Sequence, residues 1–136
     1  MVIYITHCSA KKMDSLMGTG KCVTPDVLYS ATPLQRFVRR CKEERVRWAI
    51  FSDLYGVWFP QEKKPWYEKS PDSISDGEFD ALVIDFDKKL GRDKTIFFYQ
   101  NPGRFHRLYR KLIKKSRLKG KIRMITHLDE IGGSDK

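Results

Sequence analysis

The chain opens with the run Val2-Ile3-Tyr4-Ile5-Thr6, which stops at the polar cluster His7-Cys8-Ser9-Ala10-Lys11-Lys12. An apolar, β-branched run of this length without a helical period predicts a buried strand. In open α/β sheets, ligands bind beyond the carboxyl ends of the strands. We therefore expect nucleophilic, basic and cationic side chains to collect at the edge where such a fold places its binding site.

Three more strand-like runs follow, and they alternate with amphipathic helical segments. The four predicted strands, numbered in chain order, cover 2–6, 48–52, 95–99 and 122–126, and the intervening helices begin near 32, 75 and 104. Alternation of this kind predicts a parallel sheet with helices on both faces. We expect a three-layer α/β/α fold with a four-stranded parallel sheet in the order 2-1-3-4. The domain is expected to span 1–131, with a disordered tail at 132–136.

Composition fits a single domain of 136 residues, of which 40% are hydrophobic. No apolar run approaches the roughly 20 residues of a membrane helix, and the opening run is too short for a signal peptide. We therefore expect a cytoplasmic protein without a membrane partner.

The three cysteines, Cys8, Cys22 and Cys41, cannot all pair within the chain, and free thiols are expected in a reducing compartment. Cys41 continues an apolar helical face, which predicts a core position.

The net charge of +10 is concentrated in one segment. Residues 94–128 hold eleven Lys and Arg and no Asp or Glu, so the rest of the chain sums to −1. Such segregation predicts a surface that faces a polyanion, most often nucleic acid. The alternative is a face that only keeps the protein dissolved. The cations of the third helix would contact phosphates without reading bases; they are Arg107, Arg110, Lys111, Lys114, Lys115 and Arg117.

Polar side chains follow each predicted strand, and the parallel topology places them on one edge. They are His7, Cys8, Ser9, Lys11, Lys12, Ser52, Asp53, Tyr55, Gln100, Asn101, Arg104 and His127. We predict catalytic roles for Cys8, Lys12, Asp53 and His127. Substrate contacts are predicted for His7, Ser9, Lys11, Ser52, Tyr55, Gly56, Asn101 and Arg104.

The same residues leave structural alternatives open. Cys8 beside a histidine and two lysines is a candidate thiolate nucleophile, or else an inert thiol at a strand end. His127 is a candidate acid or base, or else a histidine that hydrogen-bonds to the backbone. Lys11 and Lys12 are candidate phosphate ligands. The spacing of His7, Cys8, Cys22 and His127 matches no standard zinc pattern, so neither a metal nor a cofactor is expected.

Two further segments bear on the site. Residues 57–74 carry Trp58, Phe59, Trp66 and Tyr67 among three prolines, which predicts either a local core or a surface on which a base stacks. The second helix opens with the capping-box pattern of 75–78. Its carboxylates, Asp76, Asp80, Asp85 and Asp87, are expected to face solvent.

Short motifs resemble a family of small prokaryotic and phage domains, the peroxide-stress YaaA-like proteins. The motifs are Cys8-Ser9-x-Lys11-Lys12, Leu28-Tyr29-Ser30, Phe37, Ile50-Phe51-Ser52-x-x-Tyr55-Gly56 and Gly103-Arg104-Phe105. The spacing of Cys8 and Lys12 is also similar to the start of the core domain of archaeosine synthase. The resemblance implies a uracil-DNA-glycosylase-like fold and an association with nucleobase modification. Lys12 is followed by Met13-Asp14 where the synthase pattern continues Pro-Tyr-Ser, and the glycosylase motif Gly-Gln-Asp-Pro-Tyr is absent.

Three functional hypotheses remain at this point. The first is an enzyme that acts on nucleobases, with its site at the strand ends. The second is a non-catalytic DNA- or RNA-binding module that uses the basic helix at 104–118. The third is a nucleotide- or phosphate-binding protein that uses Lys11, Lys12 and the loop at 18–20.

Overall fold

The computed structural model describes residues 1–100 and 105–132. The strands are β1 (Val2–His7), β2 (Cys22–Val23), β3 (Trp48–Ser52), β4 (Gly56–Trp58), β5 (Lys64–Pro65), β6 (Thr95–Tyr99) and β7 (Ile122–Ile125). The helices are α1 (Pro25–Leu28), α2 (Thr32–Glu44), α3 (Asp76–Leu90) and α4 (Arg107–Lys115). Within the described ranges, no helix has the length and apolar character needed to cross a membrane.

The main sheet has five strands in the order β4-β3-β1-β6-β7. β1 lies at the centre, and β3, β1, β6 and β7 pair in parallel. This confirms a mostly parallel α/β sheet. The predicted four-stranded sheet in the order 2-1-3-4 is wrong in its strand count, because β4 turns back at Gly56 and pairs antiparallel with β3. β2 and β5 form a separate two-stranded sheet.

Strand alternation builds two cores, one on each face of the sheet. Ile3 and Ile5 point to one face, where they join a cluster with α3 and α4. Tyr4 points to the other face, where it joins a cluster with α2 and the buried rings of the 57–67 segment. Because successive side chains of a strand point to opposite faces, the single run in β1 supports both layers. Cys41 lies fully buried in the second cluster, as its helical position predicts.

The α3 helix begins as its sequence predicts. Ser75 Oγ accepts from the Glu78 N–H, and Glu78 Oε1 accepts from the Ser75 N–H, which is a complete capping box. The prediction that all four carboxylates of α3 face solvent is wrong for Asp87, which is buried. It is also wrong for Asp85, which is partly buried and accepts a hydrogen bond from the Val57 N–H. Asp87 accepts hydrogen bonds from the Ser116 hydroxyl and the Arg117 N–H. It thereby satisfies groups just beyond the carboxyl end of α4.

α4 is shorter than the predicted 104–118 helix in its described part. It ends at Lys115, and Ser116 is the C-cap, so Arg117 lies outside the helix. Leu108, Tyr109 and Leu112 form its buried face. The helix is therefore divided lengthwise into an apolar side that packs on the sheet and a side that is open to solvent.

The aromatic segment after β3 packs inward. Trp58 is fully buried, Tyr67 is 7% exposed, and both belong to the second core cluster. Tyr55 and Trp66 are partly buried against that cluster. Of the two predicted alternatives, the structure gives the local core.

Candidate functional site

A buried hydrogen-bond cluster lies at the carboxyl end of β3. The Tyr67 phenol donates to Asp53 Oδ1 at 2.7 Å, and the Tyr29 phenol donates to Ser52 Oγ at 3.0 Å. The Ser52 and Tyr67 hydroxyl oxygens are 3.1 Å apart, and Tyr29 and Tyr67 also contact each other through their hydroxyls. All four residues are buried. Burial raises the pKa of both phenols, so they are neutral donors at physiological pH.

Cys8 lies beside this cluster, and its thiol is protonated. The residue is 7% exposed, and its Sγ lies 3.3 Å from the Tyr109 hydroxyl. Burial, with a further contribution from the negative charge of Asp53, raises the pKa of Cys8 to about 12. A thiol reacts as a nucleophile in its thiolate form, so the raised pKa disfavours a nucleophilic role for Cys8 at pH 7.

The other residues that follow β1 make local contacts. His7 stacks on Tyr109 with ring centroids 4.8 Å apart, and its Nδ1 lies 2.9 Å from the Cys8 carbonyl oxygen. The Ser9 hydroxyl donates to the Lys11 carbonyl at 2.7 Å. Lys12 places its Nζ 4.6 Å from the centre of the Tyr67 ring, and Lys11 is exposed. Lys12 is thus the one lysine of the pair that reaches the cluster.

The residues that follow β3 shape a turn. Ser52 Oγ accepts from the N–H groups of Leu54 and Tyr55, which fixes the chain reversal into β4. The Tyr55 phenol donates to the Pro65 carbonyl at 2.9 Å. Gly56 has a φ of +72°, and its Cα faces the Asp85 carboxylate too closely for a Cβ. These contacts account for Ser52, Tyr55 and Gly56 without a ligand.

The predicted catalytic set comes together only in part. Cys8, Lys12 and Asp53 meet around Tyr67. His127 is exposed, and its backbone N–H donates to Glu130 Oε2. Asn101 and Arg104 lie outside the described residues. The cavity lined by His7, Cys8 and Ser9 has a volume of about 20 Å³, which is room for about one water molecule.

The solvent side of α4 is a cationic surface. Arg107, Arg110, Lys111, Lys114 and Lys115 are all exposed, and the helix holds no acidic residue. Within the described part of the chain, none of these five forms an ion pair. Arg117, just beyond the helix, lies 3.6 Å from Asp87 but remains largely exposed. We call the five cations of the helix the α4 basic face.

A groove borders the α4 basic face, with a volume of about 620 Å³. Arg107, Arg110, Lys111 and Lys114 line one side of it. The segment from Pro71 to Phe79 lines the other side. Small-molecule sites have volumes of roughly 300–1,000 Å³, so this groove is large enough for a ligand, unlike the cavity beside Cys8.

Sequence reasoning did not single out His106, which sits where the groove meets α4. It is the N-cap of the helix: its Nδ1 accepts from the Leu108 N–H at 3.0 Å. Its Nε2 lies 2.7 Å from Asp72 Oδ1. A histidine at an N-cap leaves no strong sequence signal, and nothing in the sequence pairs 72 with 106. The sequence also does not indicate that Tyr29 and Tyr67 of the buried cluster and Tyr109 beside Cys8 lie close together.

No group of three His, Cys, Asp or Glu residues in 1–100 and 105–132 is arranged to hold a metal ion. Comparison with known proteins assigns no family: no family model, no curated protein and no solved structure matches the chain. The resemblance to YaaA-like and archaeosine-synthase domains therefore stays a prediction. A functional argument has to rest on the chemistry of the site itself.

Proposed function

We propose that this protein binds nucleic acid through the phosphate backbone, using the α4 basic face. One observation carries the proposal: the five exposed cations of α4 have no carboxylate partner among the described residues. The chain has seventeen acidic residues, yet in the described ranges none forms an ion pair with Arg107, Arg110, Lys111, Lys114 or Lys115. Cations that only keep a protein dissolved are normally interspersed with acids. Five cations without an ion-pair partner on one helix face suit a polyanion, and they outnumber the two carboxylates, Asp72 and Asp76, that line the neighbouring groove.

Tertiary contacts support the same surface by fixing its side chains. The Lys111 Nζ lies 4.9 Å from the centre of the Phe79 ring, and the Arg110 guanidinium lies 5.4 Å from that of Phe105. Such contacts restrain long side chains before a ligand arrives. Restraint lowers the conformational entropy lost on binding. The buried side of α4, held by Leu108 and Leu112, keeps the whole face in place.

The nucleobase-enzyme hypothesis has less support at its predicted site. Its centre, Cys8, is buried with a raised pKa, and the adjoining cavity admits about one water molecule. A base could not enter this cavity without displacing residues that line it, such as Leu34 and Tyr99. His127 is exposed, and no described contact joins it to Cys8 or Asp53. We therefore place function on α4, and a catalytic role for Cys8, Lys12, Asp53 and His127 stays a prediction.

The test is a binding titration at two salt concentrations with a labelled nucleic acid. If all five cations of α4 contact phosphates, log Kd changes with log salt with a slope of about 4.5 on duplex DNA. Affinity then falls about 500-fold between roughly 50 and 200 mM salt. Reversing Arg110 and Lys114 to Glu removes two contacts, so the slope falls by about 2.

The matched control reverses two exposed arginines of α2, on the opposite face of the sheet. Arg36→Glu with Arg39→Glu changes the net charge by the same amount as the α4 variant. We expect the α2 variant to keep the slope of the wild type. Equal losses of affinity in the two variants would show that binding depends only on net charge and would contradict a role for α4. Absence of binding by the wild-type protein at low salt would refute the proposal.

A further inference from the structure

The groove beside α4 contains an aromatic ring whose orientation is fixed. The Leu108 N–H donates to His106 Nδ1, so the neutral imidazole carries its proton on Nε2, from which it donates to Asp72 Oδ1. Both ring nitrogens are therefore used by the protein. The side chain remains 27% exposed. Because both nitrogens are engaged, a ligand can interact with this ring by stacking and not by a hydrogen bond to a free nitrogen.

The groove around His106 is lined by cations, by an apolar patch and by two carboxylates, Asp72 and Asp76. Arg107, Arg110 and Lys114 supply positive charge on the α4 side. Ile74 supplies an apolar patch on the other side, next to the largely buried ring of Phe79. A partly exposed imidazole ring, an apolar patch and adjacent cations are the elements of sites that bind single-stranded nucleic acid, where bases stack on rings and cations follow the backbone.

We propose that the groove binds single-stranded nucleic acid, with one unpaired base stacked on His106 and its phosphates on Arg107, Arg110 and Lys114. The inference rests on the proposed function and names its substrate class. Bases in a duplex are paired and stacked, and they present only their edges in the grooves. The flat face of a base is available to His106 only in a single strand. The protein therefore prefers single strands to duplexes of the same sequence.

The test uses one labelled strand of about 12 nucleotides, alone and annealed to its complement. His106→Asn removes the ring but keeps a side chain that caps a helix well. Because stacking on one aromatic ring is a large part of single-strand affinity, this variant should bind the single strand roughly 5- to 100-fold more weakly. Its affinity for the duplex should change less than about twofold, since backbone contacts are intact.

Two further variants separate loss of stacking from loss of the helix cap and from loss of positive charge. His106→Phe restores a ring without the cap, and it should recover most of the single-strand affinity. Lys115→Gln removes a charge that does not line the groove, and it should weaken single-strand and duplex binding in parallel. Thermal unfolding of each variant establishes that it is folded at the assay temperature.

The outcomes distinguish the inference from the proposed function. Selective loss of single-strand binding in His106→Asn, with rescue by His106→Phe, supports the inference. If the wild type binds both forms and His106→Asn lowers both equally or neither, the inference is overturned and the proposed function stands. If the wild type binds neither form at low salt, both fall together.

Discussion

The substitution Tyr67→Phe should destabilise the protein more than any other loss of a single hydroxyl in its cluster. Its phenol is the group that donates to the buried Asp53 carboxylate, at 2.7 Å. Asp53 is 4% exposed, so water cannot easily replace the lost donor. Tyr29 provides the matched control, since its phenol donates to the neutral Ser52 hydroxyl at 3.0 Å.

The expected magnitudes follow from the charge of each acceptor. A hydrogen bond to a charged group contributes about 1.5–3 kcal/mol, and one between neutral groups about 1 kcal/mol. Tyr67→Phe loses the charged bond and its neutral contact with Ser52, so we expect a cost of about 3 kcal/mol. Tyr29→Phe should cost about 1 kcal/mol, because Ser52 and Tyr67 still lie within reach of each other.

Urea unfolding followed by tryptophan fluorescence measures both free energies. Trp58 is fully buried and should report the loss of the core. With a denaturant slope of about 2 kcal/mol per molar, the urea midpoint should fall by about 1.5 M in Tyr67→Phe and about 0.5 M in Tyr29→Phe. Equal shifts in the two variants, or a shift below about 0.5 M in Tyr67→Phe, would refute the assignment of Tyr67 as the donor to a buried carboxylate.

Three further changes probe the thiol, a turn and the end of α4. Because the pKa of Cys8 rises from 9.0 to about 12 on folding, its stabilising contribution is complete below pH 9 and falls towards pH 12. Over that range, wild type should lose stability relative to Cys8→Ala in urea titrations. Gly56→Ala should cost roughly 2 kcal/mol, since φ is +72° and Asp85 blocks a Cβ, and adding Asp85→Ala should recover part of the loss in a double-mutant cycle. Ser116→Ala should cost about 1.5–3 kcal/mol by leaving the buried Asp87 without its hydroxyl donor, and an unchanged melting temperature would contradict this.

Features set by neighbouring residues could be predicted from the sequence. The β1 run is apolar at successive positions, and it forms the central strand with both faces buried. Ser75 and Glu78 form the predicted capping box because its hydrogen bonds span only three residues. The basic surface of α4 was predictable for the same reason, since helical spacing separates its cations from Leu108 and Leu112.

Features that depend on distant residues could not be predicted. β4 has three residues and begins with a glycine, so its sequence alone predicts a loop. Only its pairing with β3 makes it a strand. Asp87 reads as a solvent-facing carboxylate, and only the position of Ser116, 29 residues later, makes it a buried acceptor.

The candidate site follows the same division. The strand ends correctly brought Cys8, Lys12 and Asp53 to one region. The side chains that close this region are Tyr29, Tyr67 and Tyr109, which come from other parts of the chain. Whether a polar cluster is open to a ligand depends on such long-range packing, which periodicity and spacing do not encode.

The central position of β1 has a consequence for synthesis. Its partners are β3 and β6, and Thr6 bonds to Tyr99, which is 93 residues further along. At a translation rate of about 5–20 residues per second, β1 waits roughly 5–20 s for its second partner. During that interval β3 can pair with one edge of β1, but the other edge stays unpaired. Until β6 leaves the ribosome, the nascent chain therefore carries an unpaired edge of its central strand, and unpaired strand edges are prone to aggregation.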